Sequence, residues 1–372
     1  MYDVAIIGAG INGCSVAYEF TQEGKKVILF DIEKIANGGS GAAGAFISPK
    51  FSKAGDLKEL LHDAFVYSMD YYEKHFPHLI DKSPLLHIAK DESDEEALKI
   101  YKEKTSLELL SLLKEDIHKL TVQAQLKEIV SLNAAVVNAE QMCQAMAKSA
   151  KFVKQEVKSL VYNDGLWVID ETYSAKEVVL ATGAYEKIIK EPYIKLRGVW
   201  GHRIDVETST INKNSLHQFV SISASKEGKL AIGATHNVHY HPQTSKEPYD
   251  IKLGQKELLE KASKTIKLDN LKVLKDYTGL RSGSFDYLPL LGELVMSKET
   301  LRDKSINFKT KKPNYDSYTY YPNLTMINGS GGYGFVLAPY LAKILKEYIL
   351  QAKSIDKKIV PARFFYRHAK KG

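Results

Sequence analysis

The stretch from Val4 to Asp31 constrains this chain more than any other. Gly8-Ala9-Gly10-Ile11-Asn12-Gly13 is a G-x-G-x-x-G turn, preceded by the apolar run Val4–Ile7 and followed by a helical stretch, Ile11 to Gln22. Gly24 stands where a helix C-cap belongs, and Val27–Phe30 is a second apolar run ending at Asp31. Strand, helix and strand in so short a span make a β-α-β unit. Each glycine answers a separate need. Gly8 permits the tight turn, Gly10 lets backbone approach a pyrophosphate, and Gly13 lets helix and strand pack closely. The helix N-terminus offers free N–H groups to phosphates. An acid closing the second strand accepts hydrogen bonds from ribose hydroxyls. The unit predicts dinucleotide contacts at Gly8, Gly10, Ile11, Asn12, Gly13 and Asp31, and by itself leaves NAD and FAD open. The alternative is a glycine-rich turn with no ligand.

Later segments favour FAD. Val178-Val179-Leu180-Ala181-Thr182-Gly183-Ala184 is similar to the second fingerprint of FAD proteins, where a strand end runs beneath the cofactor, and adds Thr182 and Gly183. Gly329-Ser330-Gly331-Gly332-Tyr333-Gly334 leads into a closing helix, Ala338 to Leu350. In flavoproteins of this kind such an N-terminus stabilises negative charge on the reduced ring. That run adds Gly329, Gly331, Gly332, Tyr333 and Gly334. The small-residue loop Asn37–Gly44 adds Ser40, Gly41, Ala42 and Ala43, and Val157 completes the expected contacts.

Elsewhere the pattern predicts helices over Leu57–Phe76 and Ser93–Ile117. It also predicts a hairpin of Phe152–Leu160 with Leu166–Ile169 around Asn163-Asp164-Gly165, and antiparallel strands between 197 and 236. With no long linker, the expected architecture is α/β (α+β). A Rossmann-like FAD lobe would comprise 1–85, 140–196 and 322–372, with an inserted substrate lobe (86–139 and 197–321) on a mostly antiparallel sheet. The 44% hydrophobic content supports a sizeable core. Cys14 and Cys143 are the only cysteines, too few for a disulfide framework, which fits a reducing compartment. No His/Cys cluster has zinc spacing, so no metal is expected. No apolar run reaches the ~18 residues of a membrane span, and the N-terminus reads as strand and turn instead of a signal peptide. A cytoplasmic protein is expected. Net charge is +7, and the segment from Lys353 onward supplies +6 of it through seven Lys/Arg against Asp356. That tail is either a solvated end or a site for an anionic partner such as RNA.

With these residues placed, the chain resembles the D-amino-acid oxidase/glycine oxidase superfamily along nearly its whole length. The nearest resemblance is to the C-terminal oxidase domain of the bifunctional tRNA wobble-uridine modification enzymes (MnmC). It rests on Gly38 to Phe46 followed by Pro49-Lys50-Phe51-Ser52-Lys53, and on Leu196-Arg197-Gly198-Val199-Trp200-Gly201-His202. Gly279-Leu280-Arg281-Ser282, Leu288-Pro289-Leu290-Leu291-Gly292 and Pro361-Ala362-Arg363-Phe364-Phe365 extend it. Asn does not follow Ser40-Gly41 here, and His202 stands where Gln is usual. With no methyltransferase half, a stand-alone oxidase is expected, with a separate methyltransferase as a possible partner on its product.

The resemblance implies oxidation of a carboxymethylamino group on uridine, leaving an aminomethyl group and glyoxylate. It also implies that Arg281 holds the substrate carboxylate, where a guanidinium can engage both oxygens; the alternative is a structural pair with an acid such as Asp286. Neither cysteine lies on the late segment that carries covalent flavin in some sarcosine oxidases, so non-covalent FAD is expected. Lys50, Lys53 and His202 are candidates for substrate or RNA contact. Lys304, Lys309, Lys311 and Lys312, interleaved with Tyr315, Tyr318, Tyr320 and Tyr321, read either as an RNA surface or as an exposed hairpin. His236, His239 and His241 read as surface or pocket-edge residues. tRNA is the expected partner, with no DNA and no membrane. A glycine-type small-molecule amine oxidase and a non-catalytic flavin-bearing RNA-binding module remain as alternatives.

Overall fold

The computed structural model describes residues 1–52, 54–185, 188–310 and 313–371. The chain opens with β1 (Tyr2–Ile7), α1 (Ile11–Gln22) and β2 (Val27–Asp31). There follow β3 (Phe46–Ile47), α2 (Asp56–His75), β4 (Ile80–Ile88), α3 (Glu92–Lys104), α4 (Lys114–Ile117), α5 (Val122–Gln125) and β5 (Ile129–Val137). Next come α6 (Ala139–Ala147), β6 (Lys151–Lys154), β7 (Leu160–Asn163), β8 (Leu166–Ile169) and β9 (Tyr173–Leu180). The second half carries β10 (Leu196–Glu207), β11 (Ser215–His217), β12 (Ser221–Ile222), β13 (Lys229–Gly233), α7 (Ile251–Ser263) and β14 (Lys272–Ser284). Then come β15 (Leu290–Val295), α8 (Ser297–Arg302), β16 (Tyr320–Asn328), α9 (Gly334–Gln351) and α10 (Ala362–Ala369).

The described strands form two sheets. The first runs β15-β16-β9-β1-β2-β6, parallel from β16 onward, with β15 antiparallel at its edge and the β7–β8 hairpin beside β9. Alternation explains why it is covered on both faces. Val4, Ile6 and Leu29 face a core with α1, α6 and α9, while Ala5, Ile7, Ile28 and Phe30 face a second core closed by Phe364 and Phe365 of α10. The second sheet runs β14-β10-β13-β12-β11-β4-β5-β3, antiparallel apart from the β11–β4 pair. One of its faces buries Ile204, Val206, Leu216, Ile222 and Ile232 against Leu258 and Ala262 of α7. The β-α-β unit and the antiparallel second sheet are as expected from the sequence.

Four local expectations change. The helix over Ser93–Ile117 stops at Lys104, because Leu107 and Leu109 are drawn onto the core and Leu109 bridges Leu132. Phe152 and Val153 leave the hairpin to pair in parallel with β2 as β6, and the hairpin begins at Leu160. The late helix starts at Gly334 and tolerates Pro339 inside it. Proline has no N–H for the Phe335 carbonyl, and Tyr72 Oη of α2 donates to that carbonyl instead, at 2.8 Å. Sheet membership also redraws the lobes: β3 and β4 pair in the second sheet, and β15 belongs to the first.

The tail and the tyrosine segment fold inward. Arg363 is 5% exposed and Phe365 is fully buried. Tyr315, Tyr318, Tyr320 and Tyr321 pack into the core beneath the first sheet, so that stretch is neither a free hairpin nor a row of open rings. Lys311 and Lys312 lie outside the described residues. Among the described residues no helix is long and apolar enough to cross a membrane.

Candidate active site

Gly8, at φ +107, is so close to β9 that a Cβ there would lie 2.7 Å from the Ala181 carbonyl carbon. A Cβ on Gly13 would overlap Gly8 O, and one on Gly10 would stand 3.0 Å from Ser40 Oγ. Gly8 and Gly13 are therefore closed to side chains by backbone, whereas a side chain at Gly10 would displace the Ser40 hydroxyl. α1 begins at Gly10, which has no side chain of its own to cap the helix, so first-turn N–H groups beyond that of Ile11 stay available to an anion. Asp31 closes β2 with Oδ2 accepting the Ala9 N–H at 2.8 Å. Burial raises its carboxyl pKa, partly offset by the backbone donors of Ala9 and Glu33. Val157 is buried, and its loop starts where Gln155 N–H donates to Asp31 O at 2.8 Å.

The small-residue loop joins this turn to the second sheet. Ala36 N–H donates to Ala9 O at 2.9 Å, and Ser40 Oγ accepts the Ile11 N–H at 2.8 Å. On its other side Gly39 lies against β14, where a Cβ would come within 2.6 Å of Leu280 O, and Gly279 meets Gly39 and Ala42 in the same way. Arg203 reaches across from β10 to donate to Ala43 O at 2.6 Å. The late glycine run completes the junction. Gly331 N–H donates to Ser282 O at 2.8 Å, Ser330 Oγ contacts Asn12 Oδ1 at 3.2 Å, and Gly334 sits against Ile11. The N-termini of α1 and α9 thus converge beside the loop, with Asn328 Nδ2 holding Gly183 O at 3.0 Å. Gly332 is exposed, and Lys50 Nζ lies 5.7 Å from the Tyr333 ring centroid.

Register places Arg281 at this junction. Arg281 pairs with Val199 and Gly283 with Arg197, so these side chains share the sheet face turned toward the loop. The Arg281 guanidinium lies over Gly201, where a Cβ would stand 2.7 Å from Cζ. It is enclosed by protein yet keeps accessible surface, as a group lining a cavity does. Burial lowers its pKa, and among the described residues no acid pairs with it. Asp286, the structural partner considered for it, is held instead by Arg363 and Arg367. A guanidinium stays protonated in protein interiors, so this is a cation awaiting an anion.

His202 does not belong to this face. It is fully buried on the opposite side of β10, with Nε2 2.8 Å from Asp276 Oδ1 and its ring against α7 at Gly254. The expected substrate contact gives way to a packing role set by strand alternation. Lys53 lies outside the described residues. His236 sits near Arg281 and Arg197; burial and both their charges lower its pKa, which favours the neutral imidazole. No group of three or more His, Cys, Asp or Glu side chains among the described residues could hold a metal ion. Sequence reasoning missed Arg197 and Arg203, although both follow from period-two alternation along β10 through Arg197, Val199, Gly201 and Arg203.

Comparison with known proteins bears on this junction. The model of the FAD dependent oxidoreductase family DAO matches residues 3–348. The chain belongs to that family of FAD-dependent oxidoreductases. Its fold is shared by glycine oxidase from Bacillus cereus ATCC 14579, with a TM-score of 0.75 at 20% identity over 95% of this chain and 96% of that one. L-proline dehydrogenase from P. horikoshii has a TM-score of 0.75 at 16% identity, covering 98% of this chain and 97% of the other. Curated relatives include the tRNA 5-methylaminomethyl-2-thiouridine biosynthesis bifunctional protein MnmC of Legionella pneumophila (strain Corby), 24% identical over 96% of this chain. The MnmC of Leptospira interrogans serovar Lai is 25% identical over 99% of it. This DAO chain spans 56% and 61% of the length of those two proteins.

Proposed function

We propose that this chain oxidises an N-carboxymethyl secondary amine, and that its substrate is carboxymethylaminomethyl-uridine at the tRNA wobble position. The observation that carries the reading is the Arg281 guanidinium beside the glycine junction, with no acid paired to it among the described residues. FAD, when bound, supplies a two-electron acceptor whose organic chemistry is its own. Gly8, Gly10, Ile11, Asn12 and Gly13 would hold its pyrophosphate with Ser40, Gly41, Ala42 and Ala43. Asp31 would hold the ribose, and the Val157 loop would border the adenine. Thr182, Gly183 and Gly329 to Gly334 would line the ring system, with the α9 N-terminus favouring negative charge there. Cys14 and Cys143 are buried and neither lies on the late glycine segment, which supports a non-covalent flavin, so acid precipitation should leave the protein colourless.

The roles of the chain's own groups follow from charge and reach. Arg281 would bind both oxygens of the substrate carboxylate, which fixes the α-carbon and so converts binding into orientation. The oxidised C–N unit is hydrolysed by water to glyoxylate and the aminomethyl group. Lys50, at the Tyr333 edge, would border the entrance. The similarity to MnmC along the chain, together with the cations Arg197, Arg203 and Lys50 around the junction, supports tRNA as the carrier of that amine.

A fold shared with glycine oxidase supports a second reading, a small glycine-type amine as substrate. Anaerobic titration of the FAD-loaded protein separates the two. Bleaching by tRNA carrying carboxymethylaminomethyl-uridine, with glyoxylate released, is expected. Bleaching by free glycine or sarcosine alone would overturn the tRNA reading. Cells lacking the chain should accumulate carboxymethylaminomethyl-uridine in their tRNA.

A further inference from the structure

We propose that the turn between β14 and β15 is a stacking platform for an unpaired RNA base, formed by Phe285 and Tyr287 beside Arg197. This rests on the tRNA reading above and adds where the RNA is gripped. Phe285 and Tyr287 are 60% and 61% exposed, on either side of Asp286 in a turn that otherwise points polar or buried groups inward. Tyr287 has φ +65, a conformation that bulky L-residues rarely adopt and that glycine would take freely. An aromatic ring kept at such a position, open to solvent, is doing something packing does not ask for.

The turn is held rigid from below. Asp286 accepts paired hydrogen bonds from Arg363 Nη2 at 2.9 Å and Nε at 3.1 Å, and a third from Arg367 Nη1 at 3.0 Å. Burial would raise the Asp286 carboxyl, but the two arginines and Ser284 hold it below the usual carboxylate range. Ser284 Oγ lies 2.6 Å from Leu288 O and 3.1 Å from Asp286 Oδ1, its one hydrogen shared between them across the turn. The basic tail thus reaches this surface as a buttress. Arg197 completes it, its guanidinium 5.0 Å from the Tyr287 ring centroid and its Nε buried without a hydrogen-bond partner among the described residues. Arg363 and Arg367 hold the one carboxylate and Arg197 lies on the ring, three guanidiniums to a single acid, so the platform is cationic.

Position connects it to the reacting group. Arg197 and Arg281 are diagonal neighbours on one face of the β10–β14 pair, roughly 7–8 Å apart at Cα. The Tyr287 ring therefore lies about one arginine side chain from the carboxylate site. Cations with open aromatic faces suit single-stranded RNA, whose bases stack without regard to sequence while phosphates find positive charge.

The test compares FAD-loaded wild type, Tyr287→Gly, Tyr287→Phe and Phe285→Ser by fluorescence anisotropy with a synthetic anticodon stem-loop across a salt series. Tyr287→Gly should bind about tenfold more weakly, with an unchanged salt slope because no cation is lost. Its Tm should be no lower, since glycine relaxes the backbone. Tyr287→Phe should bind as wild type does, and Phe285→Ser should weaken binding in the same sense as Tyr287→Gly. Equal binding by wild type and both ring-deleted variants would overturn the platform and leave the tRNA reading standing. A wild type indifferent to the stem-loop and to tRNA would overturn both, and a protein captured on this turn with no RNA competition would reassign it.

Discussion

The Cζ atom of Arg281 lies 2.7 Å from where a Cβ on Gly201 would stand, and Nη2 lies closer still. The two residues are diagonal neighbours on one face of the β10–β14 pair, so the absence of one side chain makes the berth for the other. Gly201→Ala should push the guanidinium out of its place without touching the nucleotide turn. We expect FAD content to be retained while KM for an N-carboxymethyl amine rises at least about tenfold, in line with a misplaced orienting group. Arg281→Ala should lose most turnover with FAD retained. Unchanged steady-state kinetics in both variants would show that Arg281 does not hold the substrate.

Gly13→Ala tests the nucleotide turn. Its methyl would enter the Gly8 carbonyl, backbone on the turn directly after β1, so neither partner can yield without moving that turn. The expected outcome is protein with little flavin absorbance and a lowered Tm that added FAD does not restore. Gly24→Ala is the control for glycine loss as such. No atom lies within 4 Å of its Cβ, although φ +69 makes it mildly strained. It should keep its flavin.

What the sequence made legible, and what it did not, divides by the range of the interactions. The β-α-β unit, the loop of small residues and the α9 entry are local patterns, and each stands where its glycines require. The second sheet was legible as antiparallel, but the faces of its strands were not. His202 and Arg203 are adjacent on β10, yet one is buried under α7 and the other reaches the small-residue loop at Ala43, a choice fixed by the register with β13 and β14. The Lys353 tail failed for another reason. Its charge pattern is that of a solvated end, whereas Phe364, Phe365 and the Asp286–Arg363 pair, all long-range contacts, draw it into the fold.

That pair yields a stability prediction. Arg363 is 5% exposed and donates to Asp286, Leu288 O and Val360 O. Arg363→Ala would leave a half-buried carboxylate with only Arg367 and Ser284 beside it, and would remove one of the donors to the Leu288 and Val360 carbonyls. The cost should be about 3 kcal/mol, measured by chemical denaturation, whereas Arg367→Ala, at an exposed position, should cost under about 1 kcal/mol. Equal losses would show that the tail is anchored by its phenylalanines and not by the ion pair.

A last prediction concerns pH. Glu177 on β9 has its carboxyl raised to about 7, first by burial and then by the charge of Glu293 on β15. The folded state therefore holds this proton more tightly than the unfolded chain, whose ordinary value is 4.5. Where the native state binds more protons, stability falls as pH rises. The contribution is whole below about 4.5, declines between there and about 7, and is absent above. Glu177→Gln removes the ionisation while keeping the shape. The variant should match wild type near pH 5 and exceed it at pH 8 by of order 1 kcal/mol, the partial exposure of the group reducing the full effect. Paired Tm measurements at the two pH values decide it. A stability difference that does not change with pH would mean that Glu177 is already ionised in the folded protein.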